Sequence, residues 1–277
     1  MTRMKAGIIG GTGKMGRLFA GVFSRAGYEV LVSGRSTPLT GTELAEQCDI
    51  VVVSVPIHDT VGVIRSIAPV MREDQLLCDL TSLKVLPVAA MLESKARVVG
   101  LHPMFGPTVK TLRHQTIITC PARIDAGTLD RLLVIFRNEG AGCTLATPEE
   151  HDRMMAVVQG LTHFVTLTVA DTVRRLKVDV GATGAFTSPV YQIELSLVGR
   201  LLAQDPGLYA DILQLNPFVP GVLSACTSSA EDLREIIGGG DPEKFREFFR
   251  RDSRHFGRFA EEGQKATDAL IESMVDR

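Results

Sequence analysis

The chain contains 277 residues, of which 45% are hydrophobic and 22% are charged, a composition typical of folded globular proteins. The formal net charge of −2 supplies no basic field for nucleic acid, and no apolar run approaches the roughly 20 residues that cross a bilayer. Five scattered cysteines without C-x-x-C spacing favour reduced thiols over disulfides or a metal site. These properties predict a cytoplasmic protein that binds no metal, nucleic acid or membrane.

The first half of the chain alternates short apolar runs with segments of helical periodicity. Apolar runs of this length predict strands that are buried in a parallel sheet. Strands alternating with helices indicate right-handed βαβ units, and hence an α/β fold with a doubly wound parallel sheet. The strands are predicted at residues 6–9, 30–33, 50–55, 76–80, 98–101 and 116–119, and two of the helices at 15–26 and 60–71.

The second half, after about residue 149, has no strand signal of comparable strength. Apolar residues recur at helical spacing over 149–176, and further helices are predicted at 188–203, 231–237 and 242–259. Pro217, Pro220 and the glycines at 238–240 indicate loops. We therefore predict a sheet domain at 1–148 and an all-helical domain at 149–277, whose long apolar helix forms an oligomer or domain core.

A glycine-rich turn links the first predicted strand to the first helix. It fits the pattern G-x-G-x-x-G, in which the first glycine permits a tight turn, the second admits a pyrophosphate and the third lets helix and strand pack closely. This setting predicts the dinucleotide site of a Rossmann domain, with a purely structural turn as the alternative. The six residues are Gly11, Thr12, Gly13, Lys14, Met15 and Gly16.

The residues after the second predicted strand bear on the choice of cofactor. NAD enzymes usually place an Asp or Glu here to hold the ribose diol, whereas this chain has Ser33, Arg35 and Ser36. Two hydroxyls and a guanidinium suit a 2′-phosphate. The sequence therefore favours NADP over NAD, with a solvated loop whose arginine contacts nothing as the alternative.

Three more segments follow predicted strands, and we expect them at the carboxyl edge of the sheet, where a cofactor crevice forms. They are Ser54, Val55 and Pro56, the loop that carries Ser82, and the run G-L-H-P-M-F-G-P at 100–107. This run contains His102, which stands next to a proline that restricts the backbone. A histidine with a pKa near physiological pH can take a proton while the cofactor takes a hydride. The pattern predicts a dehydrogenase.

With these motifs in place, the chain resembles the prephenate dehydrogenase family, over most of residues 5–260. Members of this family oxidise a cyclohexadienol that bears a ring carboxylate, with loss of CO₂ and aromatisation, in aromatic amino acid biosynthesis. The resemblance is closest to the dehydrogenase half of the enzymes that also carry a chorismate mutase, and it implies a monofunctional homodimer that pairs through its helical domain. It continues in E-H-D-R-M-M (150–155), Q-G-L-T-H-F (159–164), S-P-V-Y-Q-I-E-L (188–195) and V-G-R-L-L-A-Q-D-P (198–206).

The resemblance also implies roles for individual residues. His102 matches the catalytic base, and Ser82 matches a serine that is hydrogen-bonded to that base near the nicotinamide. Arg200 matches an arginine whose planar fork binds a substrate carboxylate, and His163 matches a histidine that lines the substrate pocket. For these two, an ion-paired arginine and a core histidine are the alternatives. The other histidines are interpreted as surface or structural residues: His58, His114, His151 and His255.

One departure from the family pattern is Gln192, at a position where the resemblance implies an arginine. Gln192 precedes Arg200 by about two helical turns, so both can face one pocket. A neutral amide lowers the positive potential there and suits a substrate with an amino group, such as 4-amino-4-deoxyprephenate in aminophenylalanine biosynthesis. Prephenate is the other candidate. A non-catalytic nucleotide-binding regulatory protein is an alternative of another class, which the presence of Ser82, His102 and Arg200 disfavours.

Overall fold

A seven-stranded sheet forms the core of the first half of the chain, and the structure, a computed structural model, describes residues 3–275. The strands are β1 (Lys5–Ile9), β2 (Glu29–Ser33), β3 (Ile50–Val53), β4 (Leu76–Asp79), β5 (Arg97–Pro103), β6 (Thr116–Arg123) and β7 (Gly142–Leu145). Their order in the sheet is β2-β1-β3-β4-β5-β6-β7. The first five strands pair in parallel, whereas β6 runs antiparallel to β5 and β7 runs parallel to β6.

Helices cover both faces of this sheet, which is why its central strands are apolar on both sides. In β3, Ile50 and Val52 pack into one apolar cluster, and Val51 and Val53 pack into another. The first cluster is completed by α1 (Lys14–Arg25) and α5 (Ala126–Asn138). The second is completed by α2 (Gly41–Gln47), α3 (Ile57–Ile67) and α4 (Val85–Leu92).

The predicted α/β class and the six predicted strands are confirmed, and the sheet is mostly parallel as expected. The sequence did not reveal β7, because its four residues lie at the edge of the sheet, are mostly exposed and contain no apolar run. The reversal at β6 also carries no local signal, since the burial pattern along a strand does not reveal the direction of its neighbours.

The second half is helical, as predicted. A long helix consists of α6 (Pro148–Met155), a π-helical turn (Ala156–Leu161) and α7 (Thr162–Arg175). It is followed by α8 (Pro189–Leu202), α9 (Pro206–Gln214), α10 (Val219–Gly239), α11 (Pro242–Phe256) and α12 (Arg258–Val275).

Three expectations about this half were wrong. Gly238 and Gly239 form the end of α10 rather than a loop, and only Gly240 lies in the turn that follows. Pro220 lies in the first turn of α10 rather than in a loop, because a proline at a helix start has no intrahelical N–H bond to lose. The helix predicted at 242–259 is interrupted at Gly257, whose φ of +53° ends α11 before α12 begins. The last helix, α12, was not predicted.

The chain divides into two compact units. The first contains the described residues up to Gln159 together with Gly207–Phe218, and the second contains Gly160–Pro206 and the described residues from Val219 onward. The returning segment of the first unit packs Ile212 against Ile57 and Leu83. The boundary predicted after residue 148 falls at the start of the long helix and stays a prediction.

One helix in the described part of the chain, Pro148–Arg175, is long and apolar enough by length and composition to cross a membrane. Long helices of oligomeric soluble proteins meet the same two criteria. Several of its apolar side chains are exposed in the single chain, among them Met154, Val157, Val158 and Val165. These side chains, the apolar stripe of this helix, are left uncovered by the described part of the single chain.

Candidate active site

The glycine-rich turn connects β1 to α1 by a short network of backbone hydrogen bonds. The N–H groups of Gly10 and Gly11 donate to the carbonyl of Ser33, over 2.7 and 3.1 Å. The first hydrogen bond of α1 runs from the Arg17 N–H to the Gly13 carbonyl over 3.0 Å. The N–H groups that precede Arg17 in the helix, those of Lys14, Met15 and Gly16, therefore lack intrahelical acceptors and are available to an anion.

The glycines of this turn do not all serve the same purpose. A Cβ added to Gly16 would lie 2.5 Å from the Gly10 oxygen and 2.6 Å from the Gly11 Cα, so Gly16 is required for packing. A Cβ added to Gly13 would meet only the Gly10 oxygen, at 3.2 Å. The space beside Gly13 is thus open, which fits a turn that admits the pyrophosphate of a dinucleotide.

A crevice of about 400 Å³ adjoins this turn and gathers most of the predicted cofactor residues. Asp59 and Val63 of α3 also line it, although the sequence analysis did not identify them. Gly11, Lys14, Met15 and Gly16 belong to the adjoining turn and helix start. The predicted residues that line the crevice are Thr12, Gly13, Ser33, Arg35, Ser36, Ser54, Val55 and Pro56.

Two of the residues expected to choose the cofactor, Ser33 and Arg35, have partners within the protein. The Ser33 hydroxyl is buried and donates to the Leu39 carbonyl over 2.9 Å. The Arg35 guanidinium is 91% exposed and lies 3.3 Å from the Asp59 carboxylate. Arg35 is thus not an arginine that contacts nothing, but an exposed ion pair of this kind holds it by about 1 kcal/mol at most. It can leave Asp59 for a phosphate.

His102 lies at the carboxyl end of β5 and is 3% exposed. Its Nδ1 is 2.8 Å from Nε2 of His151, and Nδ1 of His151 is 2.7 Å from the Asp152 Oδ1. The carboxylate of Asp152 accepts the N–H groups of Lys84 and Val85, over 2.8 and 2.9 Å. Two imidazoles and a carboxylate thus form a buried chain that ends at the start of α4.

A buried ion pair lies beside these imidazoles. The Lys84 ammonium bonds the Asp79 carboxylate and donates to the Leu101 carbonyl over 2.7 Å, and both charged side chains are fully buried. The Thr81 hydroxyl and N–H also donate to Asp79. The other carboxylate oxygen of Asp79 is buried without a hydrogen-bond partner among the described residues.

These surroundings keep both histidines neutral. Burial, then His151 and then the Lys84 cation hold the pKa of His102 well below its usual range. Burial also lowers the pKa of His151, although the hydrogen bond to Asp152 opposes that shift. The imidazole of His102 is therefore neutral at neutral pH, with a hydrogen on only one of its two nitrogens. A general base must start in this form.

His151 was interpreted from the sequence as a surface or structural residue, but it is 1% exposed and contacts His102 directly. The available signal was its place in the segment E-H-D-R-M-M, which belongs to the family pattern. Ser82 is partly exposed, and no hydrogen bond joins it to His102 within the described residues. Nδ1 of His102 is instead engaged by His151. Its place near a nicotinamide stays a prediction.

The predicted substrate residues belong to the second unit. Gln192 and Arg200 both lie on α8 and are exposed, and within that unit the described residues give the Arg200 guanidinium no carboxylate partner. His163 lies on α7, where burial lowers its pKa. An apolar groove between α7 and α8 is lined by Leu161, Val165, Val169, Leu197 and Val198.

Comparison with known proteins identifies the two halves. Residues 33–145 match "Prephenate dehydrogenase, nucleotide-binding domain", and residues 147–251 match "Prephenate dehydrogenase, dimerization domain". A probable arogenate/prephenate dehydrogenase of Methanocaldococcus jannaschii is 34% identical over 98% of this chain, which spans 65% of its length. The T-protein of Haemophilus influenzae is 32% identical over 97% of this chain, which spans 71% of its length.

Two further comparisons concern substrate and fold. The 4-amino-4-deoxyprephenate dehydrogenase of Streptomyces pristinaespiralis is 27% identical over 87% of this chain, which spans 88% of its length. The crystal structure of prephenate dehydrogenase from A. aeolicus in complex with hydroxyphenyl propionate and NAD⁺ superimposes with a TM-score of 0.73 at 21% identity, covering 92% of this chain and 98% of that chain. This likeness shows that the fold is shared.

The sheet order, the open glycine turn and the matched nucleotide-binding domain together define an oxidoreductase of the dinucleotide-binding class. Within that class, the family is identified by the matches of both halves and by the 32% identity to the T-protein of Haemophilus influenzae. The chain belongs to the prephenate dehydrogenase family.

The two glycines with different surroundings give the first test. Gly13→Val is expected to abolish binding of NAD and NADP with little loss of Tm, because the side chain fills the open space and meets only one backbone atom closely. Gly16→Ala is expected to lower Tm, because its Cβ overlaps the backbone. Calorimetric titration and thermal denaturation measure both effects, with Gly62→Ala, whose Cβ meets nothing, as control. Unchanged nucleotide affinity in Gly13→Val would exclude a pyrophosphate at this turn.

Proposed function

We propose that this chain catalyses the NAD(P)-dependent oxidative decarboxylation of prephenate or a close cyclohexadienyl analogue. The observation that carries the proposal is His102, an unprotonated imidazole at the carboxyl end of β5, in the same unit as the dinucleotide crevice. Proton transfer to a positioned base during hydride loss requires this combination. Family membership supports the same reaction.

The proposed chemistry balances without another reactant. The bound nicotinamide supplies the hydride acceptor for the ring carbon that bears the hydroxyl. His102 holds the hydroxyl proton while that carbon is oxidised and while the bond between the ring and its carboxylate breaks to release CO₂. The ring becomes aromatic, and His102 returns the proton to the phenolic oxygen. Its neutral state allows both transfers, because the imidazole begins and ends unprotonated.

We propose that Arg200 binds a carboxylate of the substrate and that His163 lines the substrate pocket. An exposed arginine without a carboxylate partner in its own unit keeps its planar fork for a ligand. The partly buried His163 has a lowered pKa, so it presents a neutral ring that can donate or accept one hydrogen bond. Both residues lie in the segment that matches the family's dimerization domain.

The ring substituent is the open choice, and Gln192 supports an amino group. The side chain is exposed on α8, the helix that also carries Arg200, and it adds no positive charge there. This favours 4-amino-4-deoxyprephenate as a second candidate substrate, in a pathway to aminophenylalanine. A relative of this chain carries that substrate in its name.

For the cofactor, we propose a preference for NADP over NAD. The support is Arg35, which lines the crevice with Ser36 and is held only by an exposed ion pair to Asp59. A 2′-phosphate offers Arg35 a doubly charged acceptor, which outweighs one exposed carboxylate. Asp59 nevertheless places a negative charge beside that phosphate, so it moderates the preference.

We also propose a cytoplasmic homodimer that pairs through the second unit. The apolar groove between α7 and α8 and the exposed phenylalanines of α11 and α12 leave apolar surface that a single chain does not cover. A second copy would bury it, as the match to a dimerization domain suggests. The apolar stripe of Pro148–Arg175 is thereby explained without a membrane.

The proposed reaction is tested by following absorbance at 340 nm with prephenate, arogenate and 4-amino-4-deoxyprephenate, each with NAD and NADP. We expect turnover of prephenate or of the amino analogue, with CO₂ released in step with reduced cofactor. If none of the three substrates is oxidised while nucleotide still binds, the chain is a nucleotide-binding regulatory protein instead.

His102→Asn is expected to lower kcat by roughly 10²–10⁴-fold with the Kd for cofactor nearly unchanged, because the amide keeps a polar side chain but accepts no proton. In the wild type, kcat/KM should fall only as pH drops through the lowered pKa of His102. The acid limb therefore lies below about pH 6.5, the ordinary value for histidine. A profile that rises through neutrality and is unchanged by His102→Asn would place the base elsewhere.

Arg35→Ala is expected to raise KM for NADP roughly 10- to 150-fold, because a charged hydrogen bond contributes roughly 1.5–3 kcal/mol, and to leave KM for NAD nearly unchanged. The matched variant Asp59→Asn should lower KM for NADP, since it frees Arg35 and removes a negative charge from the crevice. Steady-state kinetics with both cofactors measures the two ratios. Equal effects on NAD and NADP would show that Arg35 does not read the 2′-phosphate.

Gln192→Arg is expected to shift the ratio of kcat/KM toward prephenate and away from its amino analogue. A cation a few ångströms from a protonated amine costs roughly 1 kcal/mol or more even when solvent screens it, which is about fivefold or more in the ratio. Gln192→Glu, with the opposite charge, should shift the ratio the other way. If neither variant moves the ratio, Gln192 does not contact the ring substituent.

A further inference from the structure

The choice of which nitrogen of His102 carries the proton follows from the chain of contacts behind it. A carboxylate only accepts hydrogen bonds, so Nδ1 of His151, 2.7 Å from Asp152, must carry the proton and donate it. In a neutral imidazole the other nitrogen is then an acceptor. Nε2 of His151 therefore accepts from Nδ1 of His102, 2.8 Å away.

The consequence falls on the far side of the His102 ring. Once Nδ1 donates its hydrogen to His151, Nε2 of His102 carries the lone pair, and none of the described residues engages that nitrogen. The opposite tautomer would set two lone pairs against each other, at Nδ1 of His102 and Nε2 of His151. It would also leave a hydrogen on Nε2, where a base needs a free lone pair.

The end of the chain is fixed as firmly as its start. Asp152 cannot turn away, because its two oxygens cap the N–H groups of Lys84 and Val85 at the start of α4. Its own carbonyl accepts the Asn216 side-chain amide over 2.8 Å. The whole chain is buried, since His102, His151 and Asp152 are 3%, 1% and 1% exposed.

Burial and the nearby Lys84 cation favour the same protonation state of the two rings. Lys84, paired with Asp79, disfavours a second proton on His102 and on His151. Asp152 and Asp79 act in the opposite sense on His151, but burial outweighs them. Each of the two rings therefore carries one hydrogen. The hydrogen bond to Asp152 determines which nitrogen of His151 carries it, and His151 in turn determines which nitrogen of His102 does.

We infer that His151 and Asp152 are positioning residues, which lock His102 in the tautomer whose Nε2 is free to accept the substrate proton. The inference rests on the proposed role of His102 as base. A carboxylate that orients an imidazole in this way is a known device of acyl-transfer enzymes, where loss of the correct tautomer lowers the rate steeply. Here a second imidazole lies between the carboxylate and the base.

The test combines ¹⁵N NMR of the histidine side chains with kinetics in the wild type and three variants. In the wild type, His102 should show hydrogen on Nδ1 and a free Nε2. In His151→Leu, that signature should be lost, and kcat should fall roughly 10- to 100-fold, a part of the 10²–10⁴-fold that a general base contributes, with KM unchanged. His151→Gln, whose amide oxygen can still accept from Nδ1, should recover much of both. His255→Gln, exposed on α11, is the control.

The outcomes separate this inference from the proposed function. Hydrogen on Nε2 of His102 in the wild type overturns the inference even if the enzyme is active. An unchanged tautomer and kcat in His151→Leu overturn it as well. If His151→Leu does not fold, the wild-type spectrum and the His151→Gln variant still decide. If the wild type has no dehydrogenase activity but shows the expected tautomer, the proposed function is rejected. The positioning of His102 by His151 and Asp152 is still supported in that case.

Discussion

Asp152 joins separate parts of the first unit at one carboxylate. Its oxygens accept the first N–H groups of α4, its carbonyl accepts Asn216 from the returning segment, and its Oδ1 accepts the ring hydrogen of His151. A helix start with unpaired N–H groups and a positive dipole end stabilises a negative charge. The hydrogen bonds by which Asp152 caps the N-terminus of α4 thereby fix the position of α6. Through His151 they also fix the imidazole of His102 at the end of β5.

The buried pair of Lys84 and Asp79 is the second constraint on this region. Burying two charges is costly, and removing one partner would leave the other uncompensated, at about 3–5 kcal/mol. The sheet tolerates the pair because Thr81 and the Leu101 carbonyl share its hydrogen bonds. Burial is the largest cause that lowers the pKa of both imidazoles, and the buried Lys84 cation lowers both further. The pair thus links the stability of this part of the sheet to the protonation of the proposed base.

Much of this arrangement was readable from the sequence, and the reason is physical. Apolar runs such as Ile50–Val53 are buried on both faces, which is typical of strands in a parallel sheet. The glycine turn follows the pattern G-x-G-x-x-G, in which Gly13 leaves open space and Gly16 is required for packing. The edge strand β7 was missed because its residues are mostly exposed, so they show neither a buried apolar run nor a glycine pattern. The break at Gly257 was missed because one glycine within an amphipathic pattern does not disclose a positive φ.

Within the site, the sequence disclosed residues that belong to motifs and concealed those that act through contacts over long separations. His102 could be recognised in H-P-M-F-G-P, whereas its partner His151 lies 49 residues away on the helix α6. Asp59 reaches the cofactor crevice from α3, not from the end of β2, where an acid is expected. Pairings of this kind depend on how strands and helices are brought together, and no local pattern encodes them.

The distribution of these residues separates the proposed chemistry from the proposed selectivity. The proposed base, the two residues inferred to position it and the ion pair are buried in the first unit, where each side chain has hydrogen-bond partners that a substitution would leave unpaired. Gln192, Arg200 and Arg35 are exposed, and no buried partner depends on them. A change of ring substituent or of cofactor can therefore arise at these exposed positions at little cost in stability. A change of the base itself would require the hydrogen bonds from β5 to Asn216 to be rebuilt together.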